Sequence, residues 1–165
     1  RVNDKAYCAL SPRADELLFI EFCEYFECDP IIFTAYQTVD GIRLPIYHTN
    51  VMMALGENLA IICADSIDDK AEKKNVLKQL KFSGKEILTI TEAQMHQFAG
   101  NMLQVKGADD KYMVMSSAAH KSLTPQQIAT IEKHCKILSS DLTVIETCGG
   151  GSARCMMAEV FLPRA

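Results

Sequence analysis

Thr147-Cys148-Gly149-Gly150-Gly151-Ser152-Ala153-Arg154-Cys155-Met156 sets three consecutive glycines before an Arg-Cys pair. Glycines take backbone angles closed to other residues and let a ligand approach the main chain closely. A cysteine just beyond such a loop can face a pocket instead of a core. Arg154 is a fixed positive charge next door, and a nearby cation favours the thiolate, the reactive form. Cys155 is therefore the candidate nucleophile among seven cysteines. The alternative is a plain turn with an inert buried cysteine, which is the common state of intracellular thiols. A phosphate loop is not indicated, because no Gly-Lys-Ser/Thr follows the glycines.

A nucleophilic cysteine needs an acid–base partner, and the chain offers His48, His96, His120 and His134. His134 falls in a helix predicted over 124–138, beside Glu132, Lys133 and Lys136, and reads as solvated. His96 belongs to a short polar helix, and His120 to a loop before Lys121. His48 differs, because it opens His48-Thr49-Asn50 inside the apolar run 44–56. Polar groups inserted in a buried strand cost desolvation unless they are paired. A hydrogen-bonded core histidine is the structural alternative. The presence of Arg154-Cys155 in the same chain favours an acid–base role.

Together, His48-Thr49-Asn50-Val51-Met52-Met53 and Gly149-Gly150-Gly151-Ser152-Ala153-Arg154-Cys155-Met156 resemble the guanidino-group modifying enzyme superfamily. Its members include arginine deiminases, dimethylarginine hydrolases and amidinotransferases. Leu10-Ser11-Pro12-Arg13-Ala14 is similar to that family's Ser-x-Arg-Thr segment, whose arginine helps bind the substrate carboxylate. Gly100-Asn101-Met102-Leu103 resembles a family strand start. The run His-Thr-Asn-Val-Met-Met with Ser-Ala-Arg-Cys-Met looks closest to the citrulline-utilisation hydrolase branch. The family's first guanidinium-binding carboxylate and its Glu-Gly motif normally precede the Ser-x-Arg segment, and nothing here precedes Arg1-Val2 to supply them. The expectation is that residues 1–165 are the C-terminal part of a single catalytic domain.

The resemblance implies a cysteine-dependent hydrolase cleaving a C–N bond through a covalent thiol intermediate. Cys155 would attack, His48 would act as acid and then base, and Arg13 would hold the carboxylate. Asn50, Arg154 and Gly151 would complete the substrate contacts. Arginine deiminases carry Asp where this chain has Asn50. An aspartate pairs with a cationic guanidinium, whereas an amide both donates and accepts and suits a neutral ureido group. A citrulline-like substrate is therefore favoured. Arginine or dimethylarginine hydrolysis and amidino transfer are the alternatives, and a non-catalytic binding domain is the alternative of another class. No cofactor or metal is expected.

Composition sets the outer bounds. At 165 residues, 48% of them hydrophobic, the chain can bury a sizeable core as one domain. The net charge of −4 and the absence of a basic tract argue against nucleic acid as a partner. No apolar run reaches about 18 residues, so no membrane span is expected. An odd number of cysteines without Cys-x-x-Cys spacing argues against a disulfide framework or a zinc site and for a reducing cytoplasm. The sequence does not set the oligomeric state, and a homodimer is compatible with it.

The elements that must position these residues are legible as a mixed α/β pattern. Strands are predicted over 5–10, 31–36, 86–90, 136–139 and 143–146, with a further strand carrying Cys155 into the apolar run 156–162. Helices are predicted over 15–27 and 68–82. The first places Phe19, Phe22, Cys23 and Phe26 at helical spacing, a stripe expected in the core. Segments 45–55 and 59–64 read as a hairpin joined at Gly56-Glu57-Asn58, and 101–106 with 111–116 as another. Asp40-Gly41 marks a turn. Thr91-x-x-Gln94 and Thr124-Pro125-Gln126-Gln127 are helix-opening capping boxes. Alternating strands and helices give an α/β fold, and the resemblance specifies a pentein-like α/β propeller with about three of its five modules present.

Overall fold

The computed structural model describes residues 5–159. The tail of the apolar run 156–162 lies outside the described residues. The fold is mixed α/β, with four small sheets among the described residues. Two three-stranded sheets share one plan. In the first, β5 (Met53–Leu55) pairs antiparallel with β6 (Leu59–Ile62), helix α2 (Lys70–Phe82) crosses over, and β7 (Glu86–Thr89) returns parallel to β6. In the second, β8 (Leu103–Lys106) and β9 (Lys111–Ser116) form the hairpin. Helices α4 (Ser117–Ser122) and α5 (Pro125–Glu132) cross over, and β10 (Lys136–Ser140) lies parallel to β9. A related unit opens the described chain, with β1 (Lys5–Leu10) and β2 (Asp29–Thr34) parallel and joined by α1 (Glu16–Tyr25). Strands β3 (Tyr36–Val39) and β4 (Ile42–Pro45) form a separate hairpin around the predicted Asp40-Gly41 turn.

Local chemistry explains the boundaries. Asp69 caps α2, its side chain accepting from the amides of Ala71 and Glu72 at 2.8 Å each, which satisfies two otherwise orphan donors. Val76 and Leu80 then face inward, fully buried, and the lysine run stays outside. The two capping boxes form as expected, at α3 (Glu92–Met95) and α5. Their glutamines also meet each other, Gln94 Nε2 donating to Gln127 Oε1 at 2.7 Å. One core runs through all three units, with Phe33 from β2, Ile61 from β6, Met113 from β9 and Ile131 from α5 all fully buried.

Several elements differ from expectation. Residues 45–55 are not one strand. After Pro45 the chain makes a short 3₁₀ turn, Thr49–Val51, before β5 begins. The turn is closed by Val51 N to His48 O (3.0 Å) and Met52 N to Thr49 O (3.1 Å). Segment 143–146 is not a strand but part of α6 (Thr143–Gly149). The Asp141 carboxylate starts it by accepting from the Thr143 amide and hydroxyl at 3.0 and 2.6 Å, which overrides the β preference of Thr143-Val144-Ile145. Cys155 sits in a 3₁₀ turn, Ala153–Met156, and not in a strand. The helix predicted over 124–138 stops at Glu132, so His134 lies beyond it, and His120 lies in α4 instead of a loop. The Phe stripe does not enter the core. Only Cys23 of α1 is buried, with Phe19 partly buried against it, while Phe22 and Phe26 are exposed and meet at a tilt of 43° with ring centroids 4.5 Å apart. The two-stranded sheet beneath α1 is too narrow to cover a wider helix face.

Candidate active site

The loop after α6 brings Cys155 back across the molecule. Gly150 ends α6 in the left-handed conformation, its amide donating to Glu146 O at 3.1 Å. Ser152, fully buried, donates to the Glu146 carboxylate at 2.7 Å and pins the loop to the helix. Gly151 then passes so close to Cys155 that an added Cβ would lie 3.2 Å from its Sγ. The position therefore suits a residue without a side chain.

From the other side comes the turn holding His48, Thr49 and Asn50. Thr49 Oγ1 accepts from Ala9 N of β1 at 2.9 Å. Asn50 Nδ2 points at Cys155 Sγ from 3.7 Å, joining residues 105 positions apart. Asn50 Oδ1 is buried and has no hydrogen-bond partner among the described residues. An unmet buried acceptor is costly, and here it belongs to the same carboxamide as the nitrogen that faces the sulfur.

Asn101 completes the contact. Its Nδ2 lies 3.2 Å from Cys155 Sγ and 3.0 Å from Asn50 O, and its Oδ1 accepts from Arg154 N at 3.1 Å. Sequence reading noted Gly100-Asn101 only as a strand start. The signal that separates it is Gly100, where an added Cβ would meet Val51 O at 2.2 Å. Only a glycine permits that approach, and it sets Asn101 against the Asn50 turn.

Burial sorts the seven cysteines. Cys8, Cys23, Cys28, Cys63 and Cys135 are buried, and Cys148 and Cys155 are exposed. Burial pushes the Cys8 and Cys63 thiols up, and burial together with neighbouring Cys28 pushes Cys23 up to about 11. These thiols are protonated at neutral pH. Of the two exposed cysteines, only Cys155 receives side-chain amide donors among the described residues.

The histidines sort as well. His134 is bonded to Glu86 at 2.8 Å and is only 19% exposed, so it is not the solvated residue expected. His96 faces Glu92 at 3.8 Å. His48 is exposed and makes no side-chain hydrogen bond among the described residues; its ring packs edge-on against Tyr47, centroids 5.2 Å apart. Tyr47 links the remaining pieces. The Arg13 guanidinium lies over its ring at 5.4 Å, and its hydroxyl donates to Gly150 O at 3.5 Å. Its carbonyl accepts from Ser11 Oγ at 2.9 Å. Arg13, His48 and the glycine loop are thus gathered around one aromatic ring that sequence reading did not single out.

Arg154 is half-buried and donates from its guanidinium to Met157 O at 2.7 Å. Arg154 and Asn50 both line a cleft of about 580 Å³, with Thr49, Met102, Gln104 and Glu159. Cys155 and His48 lie off that wall. A second cleft of about 450 Å³, between Gln97, Lys121 and Asp141, carries no cysteine or histidine. Among the described residues no three His, Cys, Asp or Glu side chains converge as a metal site requires, and no helix is long and apolar enough to cross a membrane.

No curated protein matches the chain in sequence. Among solved structures, the product-bound N-terminal domain of ArgZ, an arginine dihydrolase from cyanobacteria, aligns with a TM-score of 0.64 at 14% identity. The alignment covers 92% of this chain and 49% of that one. The same domain covalently bound to a reaction intermediate, as a variant, also gives 0.64 and 14%. Apo ArgZ gives 0.65 at 13% identity over 91% of this chain and 20% of that chain. The chain thus spans about half the length of the ArgZ N-terminal domain, and at these identities the likeness concerns the fold. In sequence, the family described as N,N dimethylarginine dimethylhydrolase, eukaryotic, matches residues 1–162. The chain belongs to that family, and with it to the guanidino-group modifying superfamily.

Proposed function

We propose that this chain carries the nucleophile and acid–base half of a hydrolase that cleaves a C–N bond in a guanidino or ureido amino acid. The observation that carries the reading is the convergence of Asn50 on Cys155 Sγ at 3.7 Å. It brings together the two segments whose residue types suit the chemistry. The Cys155 thiolate adds to the central carbon of the substrate. The tetrahedral adduct collapses, His48 protonates the departing amine, and the carbon stays bound to the Cys155 sulfur as a thiouronium (from a guanidine) or a thiocarbamate (from a ureide). His48 then takes a proton from water, which attacks the same carbon and releases the thiolate. Arg13, steadied over Tyr47, pairs with the substrate carboxylate. Gly151 leaves room for the substrate beside the sulfur.

Asn50 supports a neutral, citrulline-like substrate, because its unmet Oδ1 can accept one substrate N–H while the site adds no negative charge. A cationic guanidine is the second reading. The family's name points to dimethylarginine, ArgZ is an arginine dihydrolase, and Glu159 on the cleft wall forms no ion pair among the described residues. The repeating units support a reading of this chain as about three of the five modules of a pentein propeller. The test is incubation of the full-length protein with citrulline, arginine and dimethylarginine, with products read by mass spectrometry. Release of ammonia or an amine from one of them supports the reading. No turnover of any guanidino or ureido compound contradicts it.

A further inference from the structure

Asn101 is polar, 4% exposed, and spends every hydrogen-bonding atom of its side chain. The orientation of its amide follows from its neighbours. Arg154 N is an obligate donor, so the atom facing it must be the oxygen. Asn50 O is an obligate acceptor, so the atom facing it must be the nitrogen. The same nitrogen lies 3.2 Å from Cys155 Sγ. The sulfur is therefore met by an N–H and serves as an acceptor, a role that the thiolate fills better than the thiol.

One carboxamide also fixes three segments relative to one another: the Asn50 turn, the Arg154-Cys155 turn and the start of β8. A second tie reinforces this, since Arg154 N also lies 3.4 Å from Asn101 O. Ala153 anchors the turn in the core, but Cys155 and Met156 are exposed, and side-chain amides are what reach the sulfur.

We infer that Asn101 is a positioning residue for Cys155, holding its sulfur beside Asn50 as a hydrogen-bond acceptor and favouring the thiolate. The inference rests on Cys155 being the nucleophile. Asn101→Asp is the informative change. One carboxylate oxygen still accepts from Arg154 N, while the other replaces the donor with a negative acceptor beside the sulfur. Asn101→Ala removes the donor without adding charge.

The experiment measures iodoacetamide labelling of each cysteine in the full-length protein by peptide mass spectrometry, across a pH series. Cys148, which is exposed, serves as the internal reference. In Asn101→Asp, labelling of Cys155 relative to Cys148 at neutral pH should fall about tenfold or more, as expected when a like charge replaces a donor. The deficit should close at high pH, where thiols ionise regardless. Asn101→Ala should show a smaller deficit in the same direction. A loss of packing alone would not produce a deficit that depends on pH. An unchanged Cys155-to-Cys148 ratio in either folded variant overturns the inference. Should neither variant fold, the wild-type protein decides, because the ratio must then be larger at neutral pH than at high pH, and a constant ratio overturns the inference. Turnover of Cys155→Ser separates the two claims. If that variant is active, the nucleophile assignment fails whatever the labelling shows. If it is inactive while labelling is unmoved, only the role of Asn101 fails.

Discussion

The charge and hydrogen-bonding state of a few side chains decides what this site can do. The His48 side chain is exposed and makes no hydrogen bond among the described residues, its one ring contact being with Tyr47, so replacing it disturbs little packing. His48→Ala should reduce turnover of the full-length protein by about 100-fold or more, the usual cost of losing general acid–base catalysis. Its thermal unfolding midpoint should stay near wild type. Near-normal turnover would leave His48 without the proposed role. Asn50→Asp should raise the ratio of kcat/KM for arginine over citrulline. The added carboxylate gives a cation a charged partner. For a ureide it removes a donor, at a cost of about 1–3 kcal/mol. An unchanged ratio would show that Asn50 does not read substrate charge. Cys155, His48 and Asn50 could be singled out by residue type and local sequence. Asn101 and Tyr47 could not, because these contacts join them to partners 53 to 103 residues away in sequence.

At the scale of elements, the site depends on tight crossings between turns. Gly100→Ala would place a methyl group against Val51 O and the Met52 Cα, both main-chain atoms. Neither can move as a side-chain tip would, so the change should destabilise by about 1–3 kcal/mol in denaturant unfolding. It should also slow Cys155 labelling, and unchanged stability would contradict the close approach. A second crossing is electrostatic. Arg43 on β4 donates to Asp68 before α2 at 2.5 and 3.2 Å and to Glu92 on α3 at 3.0 Å. The Arg43 hydrogen bonds hold Asp68 below the ordinary carboxylate range. Glu92 is also held low, against its burial, by Thr38 and Arg43. Depressed carboxylates stabilise the fold above their unfolded pKa of about 4 and lose that contribution as pH falls through the lower folded value. The difference in melting temperature between wild type and Arg43→Met should therefore be constant from pH 7 to about 5 and shrink below about 4. A difference independent of pH would contradict the cluster. Hairpins and capping boxes were legible because their signals are local. The helix α6 was not, since Asp141 and Gly150 at its two ends outweigh the β-branched residues between them. The Phe stripe of α1 misled because periodicity identifies an apolar face without saying whether a surface exists to cover it.

For the whole molecule, the three related units share one core and hold the Asn50 turn and the Cys155 turn on facing elements. The mixed α/β plan could be read from the order of elements. The meeting of the first and last thirds of the chain was expected only through the family resemblance, because no local signal encodes a contact 105 residues long. The central claim is that this meeting makes Cys155 the nucleophile. It is tested most directly by quenching the full-length protein in acid during turnover of citrulline, arginine or dimethylarginine, followed by peptide mapping with mass spectrometry. The account predicts a substrate-derived mass on the peptide containing Cys155, lost in Cys155→Ser together with turnover. A substrate adduct on another residue, or undiminished turnover in Cys155→Ser, would contradict it.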